Sequence, residues 1–139
     1  MRAARKREDI HAALAGLLEA VPGVATFSRR LLHWSDVPAG EQPALFMTGG
    51  NETVTVDGRG IPGRRFMPVK LYVYNQNEDS GLQNDLLDAI EKALEPDGEE
   101  TLTLGGLVHF CRIEGEIETD EGLLGEQSVA IVPISILVP

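Results

Sequence analysis

The stretch QSVAIVPISILV (Gln127–Val138) decides how the rest of the chain must be arranged. Side chains of a strand alternate between its two faces. On that parity Val129, Ile131 and Leu137 share one face, and Ala130, Val132, Ile134 and Ile136 share the other. An antiparallel strand with one wet face alternates apolar with polar, so a strand apolar on both faces is covered on both. This stretch therefore belongs at the centre of a sheet. Two coverings satisfy it. Helices on one side and a neighbouring subunit on the other would make Ile134 and Ile136 interface candidates; helices and a long loop would cover it equally well.

Working towards the N-terminus, Asp120–Gly125 reads as a glycine-containing turn, preceded by a second long strand, Leu107–Thr119. Within it Arg112, Glu114, Glu116 and Glu118 alternate with Cys111, Ile113, Gly115 and Ile117, which predicts one charged and one apolar sheet face. Three carboxylates in succession repel one another, so this face is a wet surface or one kept acidic for a reason.

Before these strands, Leu82, Leu86, Leu87, Ile90 and Leu94 recur at helical spacing. They predict a helix from Ser80 to Leu94 with these residues as its buried stripe, capped by Asp79 or Ser80 and ended by Pro96-Asp97-Gly98. A first helix, from Arg7 to Ala20, is carried by Ile10, Ala13, Leu14, Leu17 and Leu18, and Pro22-Gly23 stops it. Between the helices lie Thr26–Trp34, a strand with Arg29 and Arg30 near its middle, and the short apolar run Ala44–Thr48. Asn51–Asp57 follows as a half-exposed strand, and then the extended Arg64–Tyr74. Pro68 removes a ladder donor from the last of these and predicts an edge strand or a bulge. The order helix, three or four strands, helix, two strands is no βαβ alternation. It predicts an α+β fold: one mostly antiparallel sheet with two helices packed on one face and a long hairpin.

A length of 139 residues suits one domain spanning 1–139. The single cysteine, Cys111, excludes an internal disulfide framework and fits a reducing compartment. No run of about 18 apolar residues is present to span a membrane. The net charge of −10 argues against a protein that grips nucleic acid. That charge is uneven: residues 1–30 carry six bases and three acids, residues 31–74 four of each, and residues 75–139 two bases against fifteen acids. Such asymmetry suggests one face or rim with a strong negative potential, or else a solubilising surface with no partner.

Few residues suggest chemistry. Gly58-Arg59-Gly60-Ile61-Pro62-Gly63 matches the G-x-G-x-x-G dinucleotide fingerprint, but that motif must open a helix, and here an extended segment follows. A hairpin tip is expected instead. His109 and Cys111 could supply half of a zinc site, yet no second pair accompanies them. No nucleophile elbow appears, and the many carboxylates form no compact set. Neither enzyme activity, cofactor nor metal is expected.

Three stretches carry a likeness to a known family: QPALF (Gln42–Phe46), LYVYNQNEDSGLQNDLLDAIEKAL (Leu71–Leu94) and LGGLVHFCRIEGEIETDEGLLGEQSVAIVPISIL (Leu104–Leu137). In their order and spacing the chain resembles the tail terminator, or tail completion, proteins of long-tailed bacteriophages. The resemblance implies a virion protein of the tail's neck, assembled in the host cytoplasm as a hexameric ring on the last ring of the tail tube. Such a ring stops tube polymerisation, offers a surface to the head-side connector protein and lets DNA through its centre as transiting cargo. An acidic lumen would repel the passing phosphates, so Glu114, Glu116 and Glu118 are candidate lumen-lining residues. Arg29, Arg30, Arg64 and Arg65 are candidate donors across a ring interface. The hairpin Gly58–Arg65 is unusually rich in glycine and arginine, and the likeness assigns it no role. A head–tail connector or stopper of the same neck would share size, fold class and acidity. A small acidic hydrolase would require a cleft of converging titratable groups.

Overall fold

Ile10, Leu14 and Leu18 recur at four-residue intervals and are fully buried along one stripe of the first helix, α1 (Arg7–Glu19). Each fully buried aliphatic side chain of this kind contributes ~1.5–3 kcal/mol. Glu8 and Asp9 occupy the first turn, where the helix dipole favours negative charge. The second helix, α2 (Ser80–Ala93), buries a line of Gln83, Leu86, Ile90 and, just past its end, Leu94. Leu82, expected in that stripe, is 43% exposed. At 3.6 residues per turn Gln83 lies about 20° from Ile90 around the axis and Leu82 about 80°. Leucine spacing alone did not centre the stripe. The Gln83 amide donates a long bond of 3.5 Å to the Val73 carbonyl, and its Oε1 has no partner among the described residues.

The computed structural model describes residues 6–56, 62–76, 80–97 and 100–138. Its seven strands are β1 (Thr26–Ser28), β2 (Ala44–Gly49), β3 (Thr53–Val56), β4 (Pro62–Gln76), β5 (Phe110–Ile113), β6 (Glu118–Leu124) and β7 (Gln127–Val138). They form one sheet of order β1-β2-β4-β7-β5, with β3 also on β4 and β6 also on β7. Only the short β1–β2 pair is parallel; every other ladder is antiparallel. The backbone of the sheet is the β4–β7 ladder, in register from Arg65↔Val138 to Gln76↔Gln127. Both helices pack on the face that carries Leu45, Met47, Met67, Val69, Leu71 and Val73 from β2 and β4, with Ala130, Val132, Ile134, Ile136 and Val138 from β7. The expected α+β class and the placing of both helices on one face are what the chain adopts.

Each of the two central strands meets two outer strands in succession along its free side. β4 pairs with β2 up to Gly49↔Val69 and with β3 from Thr53↔Phe66. β7 pairs with β5 up to Ile113↔Ile134 and with β6 from Glu118↔Ile131. A proline stands at each handover. The Pro68 carbonyl accepts from Gly50 N at 2.9 Å and the Pro133 carbonyl from Glu114 N at 3.1 Å. In extended chain a residue's N–H and C=O point to the same side, so each proline's missing donor also faces the outer seam. The central ladder loses nothing. Pro68, expected to mark an edge or a bulge, thus lies in an inner strand, and its cost falls where the outer pairing is already interrupted.

Other expectations are corrected. Thr26–Trp34 is a strand only over its first three residues. Ser28 Oγ accepts from Arg30 N at 3.0 Å, a local bond that competes with the ladder, and a short 3₁₀ turn takes over at Trp34–Asp36. Arg29 and Arg30 therefore follow the strand's end. Leu107–Thr119 is not one strand: five residues, 114–118, advance opposite the three of 131–133, and Gly115 adopts φ +115° within this bulge. Strand β6 then runs through to Leu124, so the expected turn Asp120–Gly125 contracts to Gly125-Glu126. β3 is exposed at all four positions rather than half-exposed. The hairpin expected over Gly58–Arg65 joins β3 to β4 in antiparallel register, while its tip, residues 57–61, lies outside the described residues, as does Asp79. Gly63, the third glycine of the fingerprint, sits in β4, where a Cβ would overlap the Thr55 carbonyl. No helix follows it.

Among the described residues, the second sheet face is covered at one end only. Residues between β1 and β2 lay Val37 and Trp34 against Ala44, Phe46 and Tyr74. The Tyr74 hydroxyl donates to the Leu32 carbonyl at 2.7 Å, and Gln42 and Gln127 exchange a reciprocal amide pair at 3.0 and 2.9 Å. A loop thus covers part of β7's second face. Ile131 and Leu137 beyond it stay half-buried.

Candidate functional site

The acidic residues singled out in the sequence lie on the β5–β6 side of the sheet. Arg112 pairs in register with Ser135 and Glu118 with Ile131, which puts both on the face away from the helices. The bulge adds two residues, so the alternation of faces is the same on either side of it. Glu114, Glu116 and Glu118 are all exposed. Glu114 is partly neutralised: Arg112 lies 3.3 Å from its carboxylate and 4.0 Å above the Phe110 ring. An exposed pair of this kind contributes ~0–1 kcal/mol. Glu116 sits in the bulge itself, so the three carboxylates form a broken rim rather than one row.

Beside this rim the uncovered sheet face forms a cavity of ≈ 400 Å³ lined by Trp34, Glu118, Thr119, Asp120, Val129 and Ile131. Its floor is apolar and its outer wall acidic. Asp120 is half-buried, and its Oδ1 has no hydrogen-bond partner among the described residues. Sequence reading missed this groove. Trp34 arrives from a segment read as strand, and its isolation in the polar run HWSDVPAG was the one available signal.

The arginines sit at another end of the molecule and are unequally engaged. Arg29 makes two bonds to the Glu8 carboxylate, at 2.7 and 2.8 Å, tying the end of β1 to the first turn of α1. The Arg29 bonds hold the Glu8 carboxyl below its usual range. Glu52 accepts from Arg7 Nε at 2.8 Å and lies 3.6 Å from Arg65 Nε. Two of the four arginines offered as interface donors are thus paired within the chain. Arg30 and Arg64 are exposed, and among the described residues neither has a carboxylate within 4 Å. Ile134 and Ile136, offered as interface residues, are 1% and 0% exposed beneath the helices. They face the chain's own core, because even positions of β7 point to the helical side; the odd positions Val129, Ile131 and Leu137 point away from it.

Among the described residues the remaining reactive groups do not converge. The Cys111 thiol is buried, and burial pushes its pKa up to about 12, so it stays protonated and inert. His109 is exposed, just before β5. Among the described residues no three His, Cys, Asp or Glu side chains are grouped as a metal would require. Asp97 accepts from the Gly105 and Thr103 backbone N–H groups, which hold its carboxyl below the usual range and close the 97–105 loop.

No protein-family model matches the chain, and no curated protein sequence matches it significantly. Among solved structures, one chain from the virion of a native gene transfer agent particle is similar, with a TM-score of 0.50 and 14% sequence identity. The similarity covers 94% of this chain and 89% of that one. At this identity the likeness is one of fold, and it runs nearly end to end through both chains.

Proposed function

We propose that this chain is a structural virion protein that closes the head-proximal end of a phage-type tail tube as a ring and joins it to the head connector. The observation that carries the reading is the end-to-end fold likeness to a chain of a gene transfer agent virion. The likeness runs through 94% of this chain and 89% of that one, so it concerns the fold as a unit and not a single motif. The sequence resemblance to tail terminators points the same way and supplies the finer role.

In this reading the chain carries no reaction; its work is done by surfaces. The exposed Glu114, Glu116 and Glu118 line the lumen, where carboxylates keep DNA phosphates from sticking. The ring is hexameric, its partners are the tube protein and the connector, and Arg30 and Arg64 remain available for contacts between chains.

Purified chain added to polymerising tail-tube protein is expected to cap and shorten the tubes, with rings of sixfold symmetry at one end in negative stain. Tubes of unchanged length, with the chain binding only a connector protein, would instead identify it as a stopper of the neck. A ring that carries all three glutamates on its outer wall would remove the lumen assignment.

A further inference from the structure

Two features on opposite sides of the sheet have no use within the chain. The first is the segment that follows β1. Its backbone is held in place: Ser28 Oγ accepts from Arg30 N at 3.0 Å, and the Leu32 carbonyl accepts from the Tyr74 hydroxyl at 2.7 Å. Its side chains are nevertheless turned out. Leu31 and Leu32, adjacent in the chain, are 40% and 46% exposed. Arg30 beside them is exposed, with no carboxylate within 4 Å among the described residues. Apolar side chains presented on a fixed backbone lose little further freedom when a partner covers them.

The second feature is a cleft of ≈ 290 Å³ between α2 and the β5–β6 bulge. Between Ile113↔Ile134 and Glu118↔Ile131 no ladder pair joins β7 on this side, so the sheet has a gap beside the helix. Ile90 and Val132 are the buried part of its lining, and Ile117, 38% exposed, is the apolar residue that the bulge contributes. Leu87, Asp88 and Glu91 lie on the flank of α2 that borders it, and both carboxylates are exposed. Lys92, the sole base of α2, is not among the lining residues.

We propose that Leu31 and Leu32 of one copy enter this cleft on a neighbouring copy, against Leu87 and Ile117, with the Arg30 guanidinium between Asp88 and Glu91 at its rim. An apolar, cationic knob meets an apolar, anionic cleft. Tyr74, which holds the knob, lies on the sheet face away from the helices, whereas the cleft opens beside α2 on the helical face. The sheet stands between them, so one chain cannot fill its own cleft. The two patches differ and flank opposite margins, β1 and β5–β6, so their union is head-to-tail. Such contacts close into a ring when the rotation between copies allows. Like charges oppose the alternatives of knob on knob and cleft on cleft. The inference rests on the ring reading and specifies where its copies touch.

The test follows the full chain by sedimentation velocity across a concentration series, with circular dichroism to check that each variant keeps its fold. Arg30→Glu alone, and Asp88→Arg with Glu91→Arg in one chain, are each expected to weaken assembly about ten-fold or more, the scale of losing one charged pair at an interface. All three positions are exposed, so the core is untouched. Mixed in equal amounts, the two variants are expected to assemble again, because each reversed knob then finds a reversed cleft. Asp85→Arg reverses a charge on the same helix outside the cleft lining and is expected to leave assembly unchanged; an equal loss there overturns the assignment. As a second measurement, Leu31→Cys and Ile117→Cys variants are mixed and oxidised, and a crosslink between positions 31 and 117 of different copies is expected by mass spectrometry. Assembly unchanged in both charge variants, with no such crosslink, overturns the docking while leaving the ring reading intact. A wild-type chain that stays monomeric at every concentration overturns both. If reversing Asp88 and Glu91 abolishes capping of tail tubes but not assembly, the cleft belongs to the tube protein and the docking falls.

Discussion

His11 shows how a single side chain reports on its surroundings. It lies on α1 near Arg7, Glu8, Arg29 and Glu52, and burial, followed by the Arg29 charge, holds its imidazole below the usual range. The sign follows from linkage. As pH falls through about 6.5, the unfolded chain takes up a proton that the folded one resists, so stability declines until the lower folded value is passed and then levels. Denaturant midpoints measured between pH 7.5 and 5.5 are expected to fall for the wild type and to fall less for His11→Gln. An equal slope in both would place the pH dependence elsewhere. Residues of this kind were legible in the sequence as charges but not as pairs. Nothing in the spacing of Glu8 and Arg29, or of Arg7 and Glu52, announces that the fold brings them within 3 Å. Gln83 was hidden for the opposite reason: its amide gave no hint that the stem would occupy the centre of a buried stripe.

At the level of elements, the bulge between β5 and β6 explains how a reading can place faces correctly and boundaries wrongly. Period two survives an even number of inserted residues, so Arg112 and Glu118 share the face that alternation predicted although the strand between them is interrupted. Gly115 makes the interruption possible. Its φ of +115° is a conformation other residues avoid, and a Cβ there would sit 3.3 Å from Pro133 Cγ. Gly115→Ala is therefore expected to cost ~1–3 kcal/mol, read as a shift in urea midpoint. The control Gly16→Ala, in a helix with open space around it, is expected to be neutral or stabilising. Helices and central strands were readable because buried residues repeat along them. The ends of β1 and β5 were not, because a serine hydroxyl and a glycine torsion set them, and neither leaves a periodic trace.

Over the whole molecule, what composition foretold was the separation of charge. The acidic half supplies α2 and the β5–β6 margin, and the cations gather around the start of α1 and the β3–β4 arm. A chain polarised in this way has opposite ends that attract, and raised salt is expected to loosen association between copies while leaving the monomer's fold unchanged. Sedimentation at low and high ionic strength checks this. Partners stayed illegible, since they are met by faces, and a face is assembled from distant segments such as Trp34, Asp120 and Ile131.

The two proline handovers make the sheet's flanks expansion joints. The long β4–β7 ladder is one uninterrupted register, whereas each flank is cut in two at the point where Pro68 or Pro133 withholds its donor. Residues added within 114–117 can swell outward there without sliding anything in the centre. A sequence built this way can alter its rims, where contacts with other proteins are made, while its spine stays in step.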